Sequence, residues 1–161
     1  MKVVLQVLKE NNLFAEQSKC EFGKRKNEYL GHIISEQGVA TDLVKVPAMV
    51  NWPVPTNVTQ LRGILGMTRY YRRFIQNYGL ICMPLFLALK RNRFICRESQ
   101  QQAFERLKEI MTKAPVLALP NYSKPFVLEA DASGFGIGVV LMQEHGTIAY
   151  MSKAIGPKST G

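Results

Sequence analysis

Asp131 is the residue whose type and placement most suggest chemistry. It ends the apolar run Pro125-Phe-Val-Leu-Glu-Ala-Asp131, and a Gly-rich turn leads from it into Gly136-Ile-Gly-Val-Val-Leu-Met142. A carboxylate at the end of a buried strand is costly unless something pairs with it. A divalent metal ion is one such partner, and a turn or helix-cap hydrogen bond is another. Gly134, Gly136 and Gly138 alternate, so one face of the turn and early strand is bare of side chains. Glycines there weaken a strand unless another backbone or a ligand comes close.

A second chemical feature is charge. The 161-residue chain carries a net charge of +9, and no acidic residue lies between Asp42 and Glu98. That interval holds Lys45, Arg62, Arg69, Arg72, Arg73, Lys90, Arg91, Arg93 and Arg97, and the remainder of the chain is neutral. A block of this kind is the electrostatic footprint of a surface that binds a polyanion such as nucleic acid. The plainer alternative is a solvated basic face.

Several function classes are disfavoured. Cys20, Cys82 and Cys96 are an odd number and far apart, and His32 and His145 are isolated, so zinc is not expected. This cysteine usage fits a reducing, intracellular compartment, cytoplasmic or nuclear. No apolar run approaches the ~20 residues that span a bilayer. The apolar stretch at the start is short, is broken by Gln6 and lacks a small-residue cleavage site, so secretion is not expected.

The elements that must position these residues follow from periodicity. Val3, Val4, Val7 and Leu8 predict a helix over residues 2–11, whose abrupt start suggests sequence upstream. Residues 19–41 read as a meander. One strand is Lys19–Phe22, and a basic turn at 23–27 leads to a second strand, Glu28–Ser35. A turn at 36–38 leads to Val39–Thr41. Gly31 within the second strand suggests a bulge or a close approach. Asp42 is a candidate cap for a helix through Lys45 to Asn51, stopped by Pro53 and Pro55. Thr56 or Asn57 then caps a helix with the stripe Leu61, Ile64, Leu65, Thr68, Tyr71, Phe74 and Ile75. Arg62, Arg69 and Arg73 fall in a row on another face, with Arg72 adjacent. Gly63 and Gly66 each cost roughly 1 kcal/mol there, which implies close packing or close approach of a ligand. Tyr70, Tyr71 and Tyr78 interleave with the arginines and could contact sugars and bases, although the core is the commoner place for such rings.

A helix around Pro84, a basic turn at 90–93 and a helix capped by Ser99 come next. The last has the stripe Ala103, Phe104, Leu107, Ile110 and Met111. An apolar linker at 115–120 leads to three antiparallel strands, Phe126–Asp131, Gly136–Gln143 and Thr147–Ser152.

These residues resemble a known family. Lys19-Cys-Glu-Phe22, Tyr29-Leu-Gly-His32, Leu61-Arg-Gly-Ile-Leu-Gly66, Tyr70-Tyr-Arg-Arg-Phe-Ile75, Ala114-Pro-Val-Leu117 and Asp131-Ala-Ser133 with Gly136-Ile-Gly-Val-Val-Leu141 are similar to the Pol polyproteins of gypsy-type long-terminal-repeat retrotransposons. The resemblance runs from the end of a reverse transcriptase palm, through the thumb, into a ribonuclease H-like domain. It implies an α+β fold with three parts. Residues 1–43 would be a palm remnant with a β-meander, 44–97 a helical basic thumb, and 98–161 the first three strands of an incomplete ribonuclease H-like domain.

The resemblance also implies roles. Tyr29, Leu30, Gly31 and His32 would form the primer grip, and Arg62, Arg69, Arg72 and Arg73 the thumb surface along the template–primer duplex. Asp131 would be the first carboxylate of a ribonuclease H site that holds two Mg²⁺ or Mn²⁺ ions. The polymerase signature Tyr-x-Asp-Asp is absent from the chain, and Glu144 is the one acidic residue after Asp131. The expectation is therefore a fragment of a reverse transcriptase/ribonuclease H, inactive alone and retaining nucleic-acid binding. Other parts of a Pol polyprotein are its possible partners. The alternative is a marginally folded transposon relic.

Overall fold

The computed structural model describes residues 1–42, 49, 51–90, 97–144 and 146–155. The expected Lys45–Asn51 helix and the 90–93 turn fall largely outside them. Helix α1 (Lys2–Glu10) forms as its stripe predicts, but it buries no residue. Lys19–Phe22 does not form a strand. Gln17–Lys19 is a 3-10 turn, and the next residues run unpaired. A strand needs a ladder partner to satisfy its backbone, and among the described residues none pairs with this stretch.

The residues expected to make one strand, Glu28–Ser35, instead fold back on themselves. Strand β1 (Lys26–Tyr29) pairs antiparallel with β2 (His32–Ser35) across a tight turn at Leu30 and Gly31. Both turn residues have positive φ, 49° and 76°. That is the pattern of a hairpin whose twist matches its strands. Gly31 therefore serves a turn, not a bulge. Strand β3 (Gly38–Thr41) completes the first sheet in the order β1-β2-β3.

The helical middle carries the core. In α2 (Val58–Tyr70) the Asn57 side chain caps the start, accepting from the Gln60 amide at 2.9 Å, while the Gln60 side chain accepts from the Thr56 amide at 2.8 Å. This reciprocal arrangement satisfies orphan donors of the first turn. All seven stripe positions from Leu61 to Ile75 are buried. The α-helix nevertheless stops at Tyr70, and Arg72–Phe74 tightens into a 3-10 turn. Two shorter helices, α3 (Tyr78–Ile81) and α4 (Met83–Lys90), replace the single helix expected around Pro84. Helix α5 (Glu98–Thr112) begins before Ser99. Its cap is Arg97, whose amide donates to the Gln100 side chain at 3.1 Å. Ala103, Phe104, Leu107 and Met111 face inward from it to meet Leu61, Ile64, Leu65, Phe74 and Leu85. Each large apolar side chain buried in this way contributes about 1.5–3 kcal/mol.

The second sheet is β4 (Val127–Ser133), β5 (Gly136–Gln143) and β6 (Gly146–Ala154), antiparallel and in chain order. Gln143 anchors the preceding turn. Its amide nitrogen donates to the Asn121 and Lys124 carbonyls at 2.8 and 3.0 Å, and its oxygen accepts from the Asn121 amide at 2.8 Å. Strand β4 is an edge and exposed along its whole length. The linker before it is not free. Leu117 pairs with Val39 of β3 through two backbone hydrogen bonds of 2.7 and 2.8 Å, and the Ala118 amide donates to the Thr147 carbonyl at 2.7 Å.

Candidate nucleic-acid interface

The hairpin tip and the end of α2 meet although forty residues separate them. The Tyr70 hydroxyl donates to the Leu30 carbonyl at 2.7 Å, and the Tyr71 hydroxyl reaches the Gly31 carbonyl at 3.4 Å. The Asp42 amide donates to the same Gly31 oxygen at 3.1 Å. His32 lies beneath this junction, 6% exposed. Its ring stacks on Tyr70, meets Tyr71 edge to face and lies tilted by 34° against Phe74. Of the four hairpin residues singled out in the sequence, Tyr29 and Leu30 face solvent, while Gly31 and His32 are buried and His32 joins the hairpin to the end of α2.

The arginines stand beside this junction. Arg62 and Arg69 are two turns apart on the exposed side of α2, and Arg72 and Arg73 continue from the 3-10 turn. All four are exposed, and none makes an ion pair among the described residues. Arg73 lies over the Phe74 ring at 5.2 Å, which leaves its guanidinium at the surface. A row of cations with no ion-pair partner among the described residues presents its charge outward. Gly63 and Gly66 lie on the same helix, and a Cβ on either would meet nothing within 4 Å. Close packing among the described residues does not account for them. Tyr71 and Tyr78 belong to the core, and burial pushes both phenols up in pKa. Tyr70 alone of the three keeps an exposed face, at 48%.

Asp131 is elsewhere. It lines a separate cleft of about 350 Å³ with Glu129, Ser133 and Tyr150 from the sheet and Gln76, Asn77 and Leu80 from the helical part. Of the glycine face expected from the sequence, Gly136 and Gly138 are where the helical part approaches, while a Cβ on Gly134 would meet nothing within 4 Å. A Cβ on Gly136 would lie 2.6 Å from Leu80 Cδ2, and one on Gly138 would lie 3.2 Å from Asn77 Oδ1. Gly79 packs on Ser152, donating its amide to the Ser152 hydroxyl at 2.7 Å. The structure thus groups the hairpin with the arginines and sets Asp131 apart. Sequence reasoning missed Tyr70 as the latch between the hairpin and α2. Its partner carbonyl is forty residues away, and nothing local signals it.

Comparison with known proteins places the chain. The profile of the RNase H-like domain found in reverse transcriptase matches residues 97–160. An uncharacterised mitochondrial protein of Arabidopsis thaliana is 49% identical over 127 residues, covering 78% of this chain and 80% of the relative. The retrovirus-related Pol polyproteins of the transposons 297 and gypsy of Drosophila melanogaster are 38% and 37% identical over 96% and 94% of this chain. The chain spans 15% and 16% of their lengths. Among solved structures, the foamy viral protease-reverse transcriptase in complex with dsDNA superposes with a TM-score of 0.84 at 20% identity, over 97% of this chain and 34% of that one. The same viral protein in complex with RNA/DNA hybrid gives 0.83, over 97% and 22%. The fold of mixed helices and two antiparallel sheets is therefore that of reverse transcriptase–ribonuclease H proteins, and the chain belongs to the Pol polyprotein family of gypsy-type retrotransposons, within its reverse transcriptase–ribonuclease H region.

Proposed function

We propose that residues 1–161 bind along a nucleic-acid duplex. Tyr29 and Leu30 of the hairpin meet one strand, with Gly31 and His32 holding the hairpin in place. Arg62, Arg69, Arg72 and Arg73 lie against phosphates. The observation that supports this reading is the juxtaposition of four exposed guanidiniums, none in an ion pair among the described residues, with two helix glycines that no packing among those residues explains. A side-chain-free patch lets a phosphate backbone or groove edge come close to a helix. The solved neighbours were captured with dsDNA and with RNA/DNA hybrid, which supports a duplex as the ligand.

In this reading residues 1–43, 44–97 and 98–161 are the palm end, the thumb and the first part of the ribonuclease H-like domain. Asp131 is one ligand of a two-metal nuclease site. Mg²⁺ or Mn²⁺ serves enzymes of this type, but the donor set present here does not fit the pair. The neighbour of Asp131 across the ladder is Gly138, which brings no donor. No group of three His, Cys, Asp or Glu side chains stands together among the described residues. Glu129 and Asp131 alone cannot satisfy two octahedral ions. Residues 1–161 therefore bind a duplex without cleaving or extending it, and catalysis belongs to the longer polyprotein.

The test is affinity for an RNA–DNA hybrid as a function of salt. Removing one arginine–phosphate pair should lower the log–log slope by about 0.9. Replacing all four arginines with Ala while leaving the slope unchanged would reject the reading. So would magnesium-dependent hybrid cleavage that Asp131→Asn abolishes.

A further inference from the structure

Residues 117 and 118 pass between two glycines, one in each sheet. On one side, Gly38 opens β3 at φ +131°, and a Cβ there would land on the Leu117 carbonyl and come within 3.2 Å of Val116 Cγ1. On the other side, a Cβ on Gly146 would lie 2.8 Å from the Ala118 Cβ. Leu117 is 2% exposed and bonded to Val39 in both directions, and Ala118 bonds across to Thr147. Two consecutive residues thus join the edge of the first sheet to the last strand of the second.

We infer that this dipeptide is a tie that fixes the hairpin sheet relative to the Asp131 sheet, with Gly38 and Gly146 as the positioning residues that admit it. A backbone bridge is a good spacer because its length is set by covalent geometry and hydrogen bonds and not by side-chain rotamers. A neighbouring Cβ would push the bridge apart, since the clash is with backbone atoms at Gly38 and with a methyl that cannot rotate away at Gly146. The consequence, which rests on the duplex-binding reading, concerns register. A duplex gripped by the hairpin and thumb would meet the second sheet at one fixed offset along its length.

The experiment uses the full chain with spin labels on encoded azido residues at exposed Asn27 and Phe135. The wild type should give a single narrow distance distribution, broadened in Gly38→Ala and in Gly146→Ala. Amide exchange on the unmodified chain adds a measurement that needs no variant to fold. Val39, Leu117 and Ala118 should be protected together, well above the 121–124 turn. A broad wild-type distribution, rapid exchange at Leu117 and Ala118, or folded glycine variants as narrow as wild type would each overturn the inference. An iron chelate at position 135 then reads register on a bound RNA–DNA hybrid. Scission should fall at one nucleotide offset in wild type and spread over several in the variants. If the hybrid does not bind at all, the duplex reading fails, while the distances still decide the tie.

Discussion

Tyr70 stacks on His32 with ring centroids 5.1 Å apart and planes 8° from parallel, while its hydroxyl donates to the Leu30 carbonyl two residues before that histidine. One side chain therefore holds both the turn and the following strand of the hairpin. Tyr70→Phe should keep the stack and lose the hydrogen bond, costing about 1 kcal/mol. Hydrogen exchange at the hairpin amides should quicken, and hybrid affinity should fall. The salt slope should stay constant, because no charge is removed. Tyr70→Ala should do more on both counts. Unchanged hairpin exchange in both variants would show that the latch does not order the hairpin.

Gly63 and Gly66 separate stability from binding. A methyl group at either position meets open space, so Gly66→Ala and Gly63→Ala should each stabilise the helix by roughly 1 kcal/mol and raise the thermal midpoint. If a duplex lies against this face, the same changes should weaken binding. A more stable variant that binds as well as wild type would remove the glycines from the interface.

Stability should decline at alkaline pH for a stated reason. Burial raises the Cys82 thiol from its ordinary value of 9.0 to about 12, and burial also pushes the Tyr78 phenol up. Both groups are held neutral in the fold, so the unfolded chain loses its protons first. The Cys82 stabilisation is complete below pH 9 and is lost as pH rises from there toward 12, at up to about 1.4 kcal/mol per pH unit, and that of Tyr78 begins to be lost only above its ordinary value of 10.0. Chemical denaturation at stepped pH reads this directly. Cys82→Ala should flatten the onset near pH 9. A stability profile rising over that range would contradict it.

Asp131→Asn should change little in the chain alone. The carboxylate is exposed on an edge strand, so the thermal midpoint should move by less than about 0.5 kcal/mol equivalent. Adding Mg²⁺ or removing it with a chelator should leave the midpoint where it is. A metal-dependent rise that Asp131→Asn cancels would show a filled site, contrary to the donor set described.

The rival reading, a marginally folded relic, has its support in the second sheet. Leu128 and Met151 are 65% and 64% exposed, and among the described residues β4 has no partner on its outer edge. The helical core argues the other way. Phe104→Ala should cost about 3–5 kcal/mol and Leu128→Ser close to nothing, with cooperative melting of the wild type. Non-cooperative melting, or equal costs at the two positions, would favour the relic.

What was legible in the sequence was whatever one element records along itself. The stripe from Leu61 to Ile75 named seven buried residues because burial on one side of a helix imposes its period on the chain. Gly136–Gln143 was readable as a strand between turn residues, and the cation row was readable because charge needs no partner to be counted. The motif residues also sufficed to indicate the family. Tertiary structure decided the rest. The split of Glu28–Ser35 into a hairpin depended on where Tyr70 and Tyr71 could hold the Leu30 and Gly31 carbonyls. The burial of His32 depended on rings that lie more than thirty-five residues away in the chain. The linker at 115–120 looked like mere spacing, and only the two sheets on either side of it made it a bridge. The separation of Asp131 from the arginine surface is of the same kind. It follows from how α3 packs on β6, a pairing between distant segments that no local pattern encodes.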